Sequence, residues 1–196
     1  MTRAGHAWVG VAALLGASAL LGWLLPREAI DWQPALALRE PWRAFSAVGV
    51  HYSVAHLLGN LAGAALAGVF GVVARVPLRL APAWLAAWPL TQLGLLVRPD
   101  LAHYGGLSGV LHAGGAIVIT SLLVSGNRAQ RWVAGAAALG LAVKLLGEAP
   151  WGAALQHPAG SDIAVAPLAH ASGALAGALC AAVALSMRRR PGPMHA

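Results

Sequence analysis

The chain has 196 residues, 59% of them apolar and only 10% charged, with a mean hydropathy of +0.69. Soluble domains carry about 25% charged residues, so this composition argues against a water-soluble globule. The net charge of +7 does not point to nucleic acid either, because the basic residues sit in short loops and at the ends, with no basic stripe interleaved with aromatics.

Apolar runs of about 20 residues can cross a bilayer. Six are marked, over residues 7–25, 53–74, 80–97, 107–125, 130–147 and 166–187. The first follows a short basic start, "MTRAGHAW", and contains "ASA", which resembles a leader cleavage site. It continues through "LLGWLL", longer than a leader's apolar core, and reads as a membrane span. The loop 26–52 mixes Trp, Leu and charge in "DWQPALALREPWRAF" and is expected to lie in the membrane interface. The single cysteine, Cys180, excludes an internal disulfide and reads as a small packing residue within the last run.

Six spans put both termini on one side. That side holds Arg3, Arg75, Arg79, Arg128, Arg131 and the run Arg188, Arg189, Arg190, with no acidic residue. The other holds Arg27, Arg39, Arg43 and Arg98 with every acid: Glu28, Asp31, Glu40, Asp100, Glu148 and Asp162. Lys144 can snorkel to that second side. The arginine bias places the termini in the cytoplasm. The expected organisation is one all-α, six-helix membrane domain over 1–187, followed by a basic cytoplasmic tail, 188–196. The eight tryptophans fall mostly near span ends, as an interfacial belt requires. "GNLAG" (Gly59, Gly63) and "GALAG" (Gly173, Gly177) carry the GxxxG spacing of close helix contacts.

Polar groups converge at one depth. His51, His56 and Asn60 enter the second span from the outer side, Ser108 and His112 open the fourth, and His170 lies in the first turns of the sixth. Ionisable groups within a membrane are costly and suggest function. His56 and Asn60, four apart, share a helix face. Ser108 begins a helix, where unpaired N–H groups and the dipole favour negative charge, and Gly105, Gly106 and Gly109 permit close approach of backbone or substrate.

These types suit acyl transfer: a serine attacks a carbonyl, a histidine takes its proton, and fixed donors receive the oxyanion. The candidate donors are the backbone at Leu107 and Ser108 with the side chains of His56 and Asn60. No acid lies within a span, so a Ser–His pair without a third member is expected. Paired intramembrane aspartates and an HExxH zinc motif are both missing from the sequence. Spacing leaves two candidate bases. His112 is one turn along from Ser108, whereas His170 comes from another helix and reaches the hydroxyl more freely, which favours it.

"HYSVAHLLGN" (51–60), "GLSG" (106–109) and "AHASGALAG" (169–177) together resemble the rhomboid family of intramembrane serine proteases. The resemblance implies Ser108 as nucleophile, His170 as base, and oxyanion stabilisation by His56 and Asn60, with His51 supporting. "GLSGVLHAG" is most similar to the compact rhombosortase branch, which implies a bacterial inner-membrane enzyme without a cofactor. Its implied partner is a membrane-anchored protein bearing a C-terminal GlyGly-CTERM sorting segment. Many rhomboids carry tyrosine at the position of His112, stacked on the base; histidine there can stack or share the proton. "PWRAF" (41–45) sits about where the shorter branch has its WR. Other readings are a general rhomboid protease of single-span proteins, a His-rich metal or haem protein, and a non-catalytic helix binder. The metal reading lacks an i, i+4 histidine pair among His51, His56, His103, His112 and His170. The helix binder predicts loss of Ser or His, and both are present.

Overall fold

A computed structural model describes residues 1–187; the proposed basic tail 188–196 lies outside them. The fold is an all-α bundle. Its long helices are α1 (Arg3–Gly22), α2 (Val54–Val73), α3 (Leu80–Leu93), α4 (Ser108–Ser125), α5 (Arg128–Gly147) and α6 (Pro167–Ser186). A 3₁₀ turn, Gly94–Val97, lengthens α3 to 18 residues. All but α5 are long and apolar enough to cross a membrane. The helix α5 is as long as α1 but carries Arg128, Arg131 and Lys144.

Local chemistry sets the helix starts. Thr2 and Ser53 accept hydrogen bonds from the backbone N–H groups of Gly5 and His56, and Asn127 with Gln130 forms a capping box. The helix α4 differs: its N-cap is Leu107, which supplies no side-chain hydrogen bond.

At the centre is α4, whose Val110, Ala113, Ile117 and Val118 have no exposed surface. Its backbone contact with α6 is close. A Cβ at Gly173 would collide with the Gly109 carbonyl, and one at Gly177 with the Ala113 backbone. The second glycine pair behaves differently. Gly63 faces the Leu111 side chain on α4, but Gly59 faces open space, so "GNLAG" is not a two-point contact seam. Leu66, Val69, Leu175 and Leu179 are exposed on the outside of the bundle, as an apolar solvent permits.

Half of the tryptophans depart from the belt expectation. Trp8, Trp32 and Trp84 are fully buried and Trp88 nearly so, whereas Trp42, Trp132 and Trp151 are exposed. Trp8 stacks on Trp84 with ring centroids 4.5 Å apart. Their indole N–H groups donate to the carbonyls of Ala67 and Val110. Gly71 and Gly114 leave the room these rings occupy. Position near a span end thus hid a packing role, because a neighbouring helix covers the ring.

The first loop is ordered by Arg43. This buried guanidinium donates to the carbonyls of Glu28 and Asp31 and to the carboxylates of Asp31 and Glu40. Trp32 exchanges backbone hydrogen bonds with Tyr104, tying this loop to the segment that leads into α4.

Candidate active site

Close packing of α4 on α6 sets the central contact. Ser108 Oγ lies 2.9 Å from His170 Nε2, across 62 residues of sequence. The seam of Gly109 and Gly173 directly beside these two residues lets the helix axes come close enough for the short serine side chain to reach. His112 does not compete for the hydroxyl. Its Nδ1–H donates to the Ser108 carbonyl at 2.7 Å, and its ring stacks on His170 at 4.3 Å and 17°.

Both Ser108 and His170 open onto a cavity of about 340 Å³, which His56, Tyr104 and Gly105 also line. The far wall comes from the loop between α5 and α6, where Gln156 and Val165 exchange two 2.8 Å backbone bonds. His56 packs against Gly106, whose φ of +136° is a conformation that favours glycine. That turn brings Ser108, at the uncapped start of α4, to the cavity. His51 and Asn60 are buried and do not line the cavity. Asn60 Nδ2 donates to His51 Nε2 at 3.0 Å, and His51 Nδ1–H donates to the Gly49 carbonyl. Burial pushes the His51 imidazole below its usual pKa, against that carbonyl. The His51 ring is 4.7 Å from His56, so the pair backs His56.

The chain matches the rhomboid domain over residues 38–187. It belongs to the rhomboid family. Members of this family are intramembrane serine proteases acting on membrane proteins within the bilayer, which makes the chain a multi-pass integral membrane protein. No curated protein and no solved structure matches it.

Two features of this rhomboid escaped the sequence reading. The serine and histidine do not stand without an acid. Glu148, the C-cap of α5, places Oε2 2.8 Å from His170 Nδ1, and its other oxygen accepts from Lys144 Nζ at 2.6 Å. Lys144 is thus paired within the protein while its side chain stays partly exposed. Burial works against the Glu148 charge, but the hydrogen bonds from His170 and Lys144 prevail and hold its pKa at about 2. By sequence Glu148 falls one residue past the fifth span, on the outer side. Depth along one helix does not show that its cap turns inward onto another.

The second feature is Tyr104. It is buried, lines the Ser108 cavity, and its hydroxyl has no hydrogen-bond partner among the described residues. It lies near enough to Ser108 and the Gly109 N–H to be influenced by both, although burial dominates and raises its pKa. His103 also lines the cavity, with its Nδ1 2.6 Å from Asp31 Oδ2. Among the described residues, no three His, Cys, Asp or Glu side chains are placed to share a metal ion.

Proposed function

We propose that this rhomboid is an active intramembrane serine endopeptidase of the rhombosortase type, with Ser108 as nucleophile and His170 as general base. The observation that carries this reading is the 2.9 Å contact from Ser108 Oγ to His170 Nε2, within reach of direct proton transfer. As Oγ attacks the scissile carbonyl, its proton passes to Nε2. The carbonyl oxygen becomes an oxyanion received by N–H groups at Leu107 and Ser108 and by His56, with Asn60 and His51 supporting the ring. Collapse breaks the peptide bond, and His170 returns the proton to the leaving amine. Water then attacks the acyl-enzyme by the same route in reverse.

The arginine distribution supports cytoplasmic termini for a six-span domain over 1–187 with a basic tail, in a bacterial inner membrane. Ser108 then opens toward the outer interface. The substrate is a protein anchored by a C-terminal span preceded by a glycine-rich stretch, of the GlyGly-CTERM kind. Labelling with a fluorophosphonate tests the nucleophile: the wild-type chain should be modified and Ser108→Ala should not. Equal labelling of both would remove Ser108 from the role. A reporter carrying the sorting tail, compared with one carrying an unrelated single span, tests the substrate. Equal release of the two would favour a general rhomboid protease.

A further inference from the structure

His170 is held on three sides. Ser108 Oγ meets Nε2, the His112 ring covers one face, and Glu148 Oε2 lies 2.8 Å from Nδ1. Lys144 Nζ stands 3.4 Å from the same Nδ1 and 2.6 Å from the other Glu148 oxygen. Chemistry assigns the proton. An ionised carboxylate only accepts, so the His170 nitrogen facing it at the shorter distance carries the hydrogen. A neutral imidazole has one N–H, which leaves Nε2 with the lone pair that faces the serine hydroxyl. This is the tautomer a general base needs.

The position of Glu148 is otherwise unfavourable. It caps the C-terminal end of α5, where the helix dipole disfavours a negative charge. Lys144, one turn back, and His170 offset that cost. The helix α5 buries only Ala134, and at its end Lys144 and Glu148 make the polar contacts to His170.

We propose that Glu148 is the positioning acid of a Ser108–His170–Glu148 triad, and that Lys144 holds its carboxylate in place and tempers its charge. The inference rests on the assignment of Ser108 and His170 above. Glu148 fixes the His170 tautomer and stabilises the imidazolium formed when Nε2 takes the serine proton. It does not itself become protonated. Lys144, a fixed positive charge beside the ring, opposes that imidazolium. The two residues therefore act on the imidazolium in opposite senses.

The experiment compares wild type, Glu148→Gln, Glu148→Asp, Lys144→Met and Ser108→Ala in kcat, KM and pH profile on one cleavable reporter in proteoliposomes. Charged and titratable groups around His170 come from every side: His112 on α4, His56 on α2, Lys144 and Glu148 at the end of α5, and Asp162 in the cavity wall. All of them except the substituted group are common to the compared variants. Glu148→Gln should lower kcat by about 10²-fold or more with KM little changed. The loss should stay below the roughly 10⁴-fold seen for a fully buried triad acid, since the Glu148 side chain is 29% exposed. Its acidic limb of kcat/KM should move to lower pH, because the imidazolium has lost its counter-charge. Lys144→Met should move that limb to higher pH, and Glu148→Asp should recover part of the rate.

A Glu148→Gln protein with wild-type kcat and an unmoved limb would overturn the triad while leaving Ser108 and His170 in their roles. Cleavage by Ser108→Ala at the wild-type rate would instead overturn the assignment beneath it. If Glu148→Gln does not fold, the limbs of Glu148→Asp and Lys144→Met decide, and two unmoved limbs refute the proposal.

Discussion

At the scale of single residues, the geometry separates two histidines that sequence spacing left in competition. His170 presents Nε2 to the Ser108 hydroxyl, while His112 spends its Nδ1–H on the Ser108 carbonyl and offers only its ring face. Replacing His170 by Ala should therefore abolish reporter cleavage as fully as Ser108→Ala, with both proteins remaining folded by circular dichroism. His112→Phe keeps a flat ring against His170 and should retain measurable turnover. An inactive His112→Phe beside an active His170→Ala would exchange the two roles. Asn60 is a subtler case, since its amide donates to His51 Nε2 and its side chain is out of the cavity. Loss of a direct oxyanion donor costs about 10²–10³ in rate. Asn60→Ala should cost less, in kcat and not in KM, because it acts through the His51–His56 pair. A fall of the full size would place the amide directly on the oxyanion.

Helix packing decides whether those residues meet at all. Gly173 and Gly177 let α6 lie against the α4 backbone at Gly109 and Ala113, so an added side chain must separate the helices that carry Ser108 and His170. Gly173→Val should eliminate activity and lower the thermal unfolding midpoint in detergent, by the route of an overpacked core, about 1–3 kcal/mol or more. Gly59 has the same spacing to a second glycine but open space around it. Gly59→Ala should leave both activity and midpoint unchanged, within about 0.5 kcal/mol. Equal damage from the two substitutions would mean that glycine content, and not the α4–α6 seam, carries the effect. Sequence alone does not separate these motifs, because spacing records which residues share a face and not what that face meets.

For the whole molecule in its bilayer, the cavity and its loop wall sit at the end of the bundle where α4 and α6 begin. A regular transmembrane helix keeps its carbonyls hydrogen-bonded, so a substrate must unwind before Ser108 can reach a bond. A reporter whose sorting tail carries leucines in place of glycines should be released more slowly than the glycine version, because glycine weakens the helix. Equal release would remove unwinding from the account, and release of the reporter into the cytoplasm would reverse the topology. The sequence by itself determined the membrane class and the helix positions to within a few residues, and it offered Ser108, His56 and His170 as candidates, since hydropathy, capping and motif spacing are properties of neighbouring residues. Three facts came only from tertiary structure. Trp8 and Trp84 are core residues, one glycine pair and not the other is a seam, and Glu148 meets His170. Each depends on which helix lies opposite, and the free energy of burying a ring or pairing a charge is decided by that neighbour and not by the segment that carries the residue.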